Sequence, residues 1–194
     1  DEFNNNFLNY HPDIAIINNI EFDHPDFFKN EKEVHTSFDK FINNLVGQKL
    51  LIAEKNSLNK KFNLKILGNH NQKNANMAFL LGKALGIKEE KIVKSIEGFA
   101  GIGRRMELIA DNGGIKIYDD YAHHPTEIRA TLSGARARFP KARIWAIWQP
   151  HTYSRTQALF FEFSRAFADA NEVLVTEVYA SREAQQEFSS VAPR

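Results

Sequence analysis

Cysteine is absent from all 194 residues, which excludes disulfides and thiolate metal sites and is compatible with a cytosolic location. No apolar run approaches the roughly 20 residues that a membrane helix needs. The first residues also lack the basic-then-apolar pattern of a signal peptide. Charge is nearly balanced, at +1, so electrostatics gives no argument for nucleic acid or a membrane surface as partner. Three motifs are missing too. There is no Gly-x-x-x-x-Gly-Lys-Ser/Thr phosphate loop and no Gly-x-Gly-x-x-Gly turn, so if nucleotide is bound, its main phosphate cradle lies outside this chain. The absence of Gly-x-Ser-x-Gly argues against a hydrolase built on a nucleophile elbow.

What remains is a globular composition, 43% hydrophobic and 25% charged, enough for one large or two modest domains. Basic residues divide the chain. Every one before position 104 is Lys, whereas from Arg104 onward Arg dominates and only Lys116 and Lys141 interrupt it. With Gly101 and Gly103 permitting a hinge, this places a boundary between residues 1–102 and 103–194. The chain starts at Asp1 without Met and reads as a piece of a longer protein, its second domain incomplete.

Periodicity predicts strands at Ile14–Ile17, Leu50–Ala53 and Leu64–Leu67, and helices over 31–45, 72–85 and 88–97. The 72–85 helix is expected to bury Met77, Leu80, Leu81, Ala84 and Leu85. Asp111-Asn112-Gly113-Gly114 marks a hairpin between 106–110 and 115–118. A helix at 126–138, a strand at 144–148, a helix at 155–169 and a strand at 173–176 complete the pattern. Strand–polar turn–helix repeats imply an α/β fold with a mostly parallel sheet.

The densest chemistry lies in Tyr118–Glu127, where a strand runs into Asp119, Asp120, His123 and His124 before Pro125 opens a helix. Ligands of open α/β sheets bind beyond such strand ends, although helix capping alone would also account for the cluster. Glu21, Asp23 and His24, with Glu2 upstream, could hold a cation against phosphate, but by spacing alone a solvated loop is the better reading. Asn69, His70, Asn71 and Asn74 fit either a base edge or a helix cap. Arg104-Arg105 suits phosphate through its planar forks, with one of the pair expected to point inward. His151 and Arg155 stand at a strand–helix junction suited to a carboxylate or phosphate.

Together these stretches resemble the Mur ligases. The resemblance runs through Asn19–His24, Gly68–Ala75, Phe99–Glu107, Asp119–Glu127 and Gln149–Thr156, in family order and over essentially the whole chain. It implies that 1–102 is the latter part of a central ATPase domain and 103–194 a Rossmann-like C-terminal domain. It further implies ATP-dependent ligation of L-alanine to UDP-N-acetylmuramate through an acyl phosphate, in cytoplasmic peptidoglycan synthesis, by a protein longer than this chain. Carried over by motif, Glu2 and His24 hold Mg2+. Asn71 and Asn74 meet adenine, Asp120 the ribose and Arg105 the phosphate side. His123 and Arg155 are the catalytic residues near the amino acid, with His151 beside them. The alternatives are the branch that recycles a whole tripeptide onto the same sugar, and a non-catalytic nucleotide- or partner-binding module.

Overall fold

The computed structural model describes residues 3–45, 50–53 and 59–188. These fall into two compact units, residues up to Leu64 with Gln72–Gly98, and Lys65–Asn71 with Phe99 onward.

In the first unit, β1 (Ile14–Ile17) pairs in parallel with β2 (Leu50–Ala53), Ile14 opposite Leu50. Parallel neighbours need a crossover, and α1 (Glu31–Asn43) lies in it. The helix starts at Asn30, whose side chain accepts the Glu33 N–H at 3.1 Å, while Glu33 accepts the Lys29 N–H at 2.9 Å. A cap of this kind contributes about 1 kcal/mol. Phe7 packs on Phe38 and Phe41, with ring centroids 5.0 and 5.2 Å apart.

Two further helices, α2 (Asn69–Ala84) and α3 (Glu89–Gly98), enclose a core of Phe62, Ala75, Phe79 and Ile92. The buried face of α2 is Ala75, Asn76, Met77, Phe79 and Gly82. Of the expected face only Met77 is buried; Ala84 and Leu85 are exposed. The expected strand at 64–67 does not form. The preceding stretch instead finds its backbone partners in side chains: Gln72 bonds both N–H and C=O of Phe62, Asn76 does so for Lys60, and Glu97 accepts the Asn63 N–H. With those groups paired, an extended segment needs no neighbouring strand.

The second unit begins with an antiparallel hairpin, β3 (Glu107–Asn112) and β4 (Ile115–Asp119). Gly113 and Gly114 both have positive φ, 56° and 82°, as the two central residues of a primed hairpin turn require. β5 (Trp145–Trp148) pairs in parallel with β6 (Glu172–Val175). Trp148 packs on Phe163 and Phe167, at 4.6 and 5.2 Å. The described sheets are thus three separate pairs, two of them parallel, and the fold is mixed α/β as expected.

α4 (Pro125–Arg138) carries a reciprocal cap. The His124 ring accepts the Thr126 N–H at 3.3 Å, and Glu127 accepts the N–H groups of His123 and His124. The helix expected at 155–169 is instead α5 (Tyr153–Ala158) and α6 (Phe160–Ser164), interrupted at Leu159 with φ −109°. Its buried stripe still repeats helically through Arg155, Leu159, Phe163 and Ala166.

Gly134 supplies a test of the packing of α4. Alanine at an interior helix position is normally favoured by up to about 1 kcal/mol over glycine. Here a Cβ would sit 3.1 Å from the Gly68 Cα and 3.3 Å from its N, against backbone rather than a movable side chain. Gly134→Ala is therefore expected to destabilise the protein by about 1 kcal/mol or more, read as a lower denaturation midpoint at unchanged slope.

Candidate functional site

Asp120 stands just past β4, and both its oxygens serve the fold. Oδ2 accepts the Met106 N–H at 2.8 Å; Oδ1 accepts the Ala122 N–H at 2.9 Å and the Thr131 hydroxyl at 3.1 Å. One carboxylate thereby fixes the start of the hairpin, the turn and α4. An ionised carboxylate has about four lone-pair sites, so about one remains for a single outside donor, such as a hydroxyl.

Neither Arg104 nor Arg105 points inward as expected of one of the pair; both side chains are exposed. Arg104 adopts φ 57°, outside a strand, and both guanidiniums lie over the Tyr121 ring, 4.7 and 5.8 Å from its centroid. Arg104 Nε lies 3.4 Å from Asp119, and Arg105 Nη1 3.7 Å from Glu127. Both pairs are well exposed, and each contributes little to stability. Both cations nevertheless lie against the Tyr121 ring, and at this exposure phosphate oxygens could reach them.

His70 belongs to the same unit. Burial lowers its pKa below the ordinary 6.5, with Asp120 opposing and Arg105 reinforcing the shift. Its Nδ1 is buried and makes no hydrogen bond within the described structure. On α2, Asn71 donates its amide to the Leu67 carbonyl, leaving Oδ1 for another donor, and Asn74 is exposed.

The second cluster is built where β4, β5 and β6 end. Arg155, only 5% exposed, turns back toward its own junction: Nη1 donates to the His151 carbonyl and meets His151 Nδ1 at 3.1 Å. His151 therefore accepts at Nδ1 as a neutral ring. Its pKa is lowered by burial first, and then by the charges of Arg155 and His123. The His123 ring lies 6.2 Å from that of His151, and Tyr179 stacks on His151 at 5.3 Å and 12°. His123 Nδ1 donates to the Tyr121 carbonyl at 3.0 Å, which makes Nε2 the basic nitrogen of the neutral ring. A buried cation, a basic imidazole and a neutral imidazole are thus gathered together. That set can hold a carboxylate and relieve a nearby amine of a proton.

The structure brings His123, His151 and Arg155 together. Arg105 and Asp120 lie in the neighbouring turn, both facing His70. The His24 N–H donates to Asp23 at 2.8 Å, and its ring lies 3.9 Å from the same carboxylate. Glu2 lies outside the described residues. Among the described residues no group of three or more His, Cys, Asp or Glu could hold a metal ion. Sequence reasoning left Tyr179 and Glu183 without roles. Their position after β6, facing the end of β5, was the available clue, because parallel strand ends converge on one rim.

A family profile described as "Mur ligase, glutamate ligase domain" matches residues 104–192. Similarity extends along nearly all of the chain: it is 38% identical over 93% of its length to a UDP-N-acetylmuramate–L-alanine ligase of Desulfitobacterium hafniense, of which it covers 50%. Residues 104–192 belong to the Mur ligase family. An Acetivibrio thermocellus protein of the same name is 36% identical over 94% of this chain and 49% of its own length. Among solved structures, a UDP-N-acetylmuramate-alanine ligase of Thermotoga maritima superposes with a TM-score of 0.68 at 27% identity, over 90% of this chain and 48% of that one. A murein peptide ligase of Psychrobacter arcticus gives 0.55 at 23%, over 88% and 51%, a likeness of fold alone. The chain spans about half the length of the curated relatives it matches.

The two depressed imidazoles have a measurable consequence. Each binds its proton more weakly in the folded chain than in the unfolded one, so the unfolded state takes up more protons once pH falls below 6.5. Their contribution is fully present above 6.5 and declines as pH drops toward the folded values. Replacing both, His70→Gln with His151→Gln, is expected to flatten the fall in folding stability between about pH 6.5 and 5, measured by denaturant titration at each pH.

Proposed function

We propose that this chain is the second half of an ATP-dependent ligase that joins L-alanine to the lactoyl carboxylate of UDP-N-acetylmuramate. The observation that carries this reading is the 38% identity, along 93% of the chain, to a protein bearing that activity in its name. On this reading residues 1–102 are the latter part of the central ATPase domain and 103–194 the C-terminal domain. The work is cytoplasmic and serves peptidoglycan precursor synthesis.

ATP transfers its γ-phosphoryl group to the lactoyl carboxylate, giving an acyl phosphate and ADP. The alanine amine attacks the acyl carbon, and the tetrahedral intermediate collapses to the amide with release of phosphate. Arg155 holds the alanine carboxylate, its guanidinium steadied by His151. His123 accepts the amine proton at Nε2. Asp120 offers its remaining lone pair to a ribose hydroxyl, Arg105 faces phosphate, and Asn71 and Asn74 read the adenine edge. Mg2+, held through Glu2 and His24, would neutralise phosphate charge.

The test uses the protein extended upstream to the length of its relatives, assayed for phosphate release with Mg-ATP, UDP-N-acetylmuramate and L-alanine. Alanine-dependent release is expected, and none from the 194-residue chain alone. Arg155→Ala should raise KM for alanine by about 30-fold or more, as expected when a charged recognition pair worth at least about 2 kcal/mol is cut. Release with the L-alanyl-γ-D-glutamyl-diaminopimelate tripeptide but not with alanine would overturn the alanine assignment.

A further inference from the structure

We propose that Glu183 is a positioning residue of the amino-acid site, acting through α5 on Arg155; this rests on the assignment of that site to the incoming amino acid. Helix α5 does not cap itself. Thr152 occupies the N-cap of α5 yet makes no side-chain cap bond, which leaves the first-turn N–H groups to be satisfied from elsewhere. Glu183 does this from a different segment. One carboxylate oxygen accepts the Ser154 N–H at 3.0 Å, and the other accepts the Ser154 hydroxyl at 2.5 Å. Both bonds are charge-assisted, the stronger class of hydrogen bond.

With its proton given to Glu183, the Ser154 oxygen accepts from Thr152 at 3.1 Å. The Thr156 hydroxyl in turn donates to the Thr152 carbonyl at 2.6 Å. The whole turn that carries Arg155 is therefore referenced to one carboxylate. That carboxylate is itself held. Tyr179 donates its N–H to the Pro150 carbonyl at 2.8 Å, and Glu183 donates its own to Ala180 at 3.0 Å. Ser181, at φ 55°, turns the chain so that Glu183 returns to α5. Tyr179 and Glu183 thus grip the 150–156 turn at two points, one on the His151 ring and one on the helix start. Arg155 lies on that turn with its Nη1 bonded to His151 at the turn's start, so the placement of its guanidinium follows the placement of the turn.

In the extended protein, E183A is expected to raise KM for alanine by about tenfold while KM for ATP stays within twofold. E183Q, which keeps an acceptor oxygen for Ser154, should recover most of the loss. Unchanged KM for alanine in E183A would overturn the proposal, as would equal losses toward ATP and alanine. Should E183A fail to fold, S154A removes the hydroxyl arm alone: a rise in KM for alanine supports the proposal, and wild-type values refute it. Wild-type protein that ignores alanine would instead refute the amino-acid assignment. The His151 Nδ1 NMR resonance separates the two cases, because E183A is expected to shift it whatever the substrate, and an unmoved resonance overturns the positioning role.

Discussion

A single carboxylate, that of Asp120, holds the second unit in its working shape. Its three protein donors come from residue 106 ahead of the hairpin, residue 122 in the turn and residue 131 in the second turn of α4. Each donor is a neutral group bonded to a charge, an arrangement worth about 1.5–3 kcal/mol where it is well shielded. Because the bonds converge on one side chain, the turn that bears His123 cannot move independently of the hairpin or of the helix. The same convergence leaves little acceptor capacity over, so any ligand contact at Asp120 is a single one.

The second cluster works by the same logic with the signs reversed. Arg155 is a buried cation, and burial of a charge is tolerated only when its donors are engaged. His151 provides this with its carbonyl and its ring nitrogen. Both belong to the junction that the helix grows from, so the guanidinium is fixed relative to the β5 end. The rings of Tyr121, His123, His151 and Tyr179 then form a continuous series of edge and stacked contacts that joins the two turns of the unit.

Much of this was legible in the residues. The reciprocal cap of α4 was implicit in His-His-Pro-Thr-Glu, because Pro suits a first helical position and Glu three residues past the cap reaches back. The hairpin followed from Asn-Gly-Gly. What periodicity could not reveal was which polar side chains would replace backbone partners. Gln72 and Asn76 pair the backbone of Phe62 and Lys60 in place of a neighbouring strand, and the apolar run at 64–67 forms no strand. The face of α2 was misjudged for a related reason: Phe62 and Ile92 come from distant positions and draw in Phe79 and Gly82 rather than Leu85. The place of Glu183 after a strand end was legible, but its partner, Ser154, was not, being 29 residues away.

The most direct test of the account is a crystal structure of the extended protein with L-alanine and a non-hydrolysable ATP analogue. The alanine carboxylate is expected on the Arg155 guanidinium, with its amino group turned toward His123 Nε2. Alanine held elsewhere, with Arg155 bonded only to His151, would contradict it.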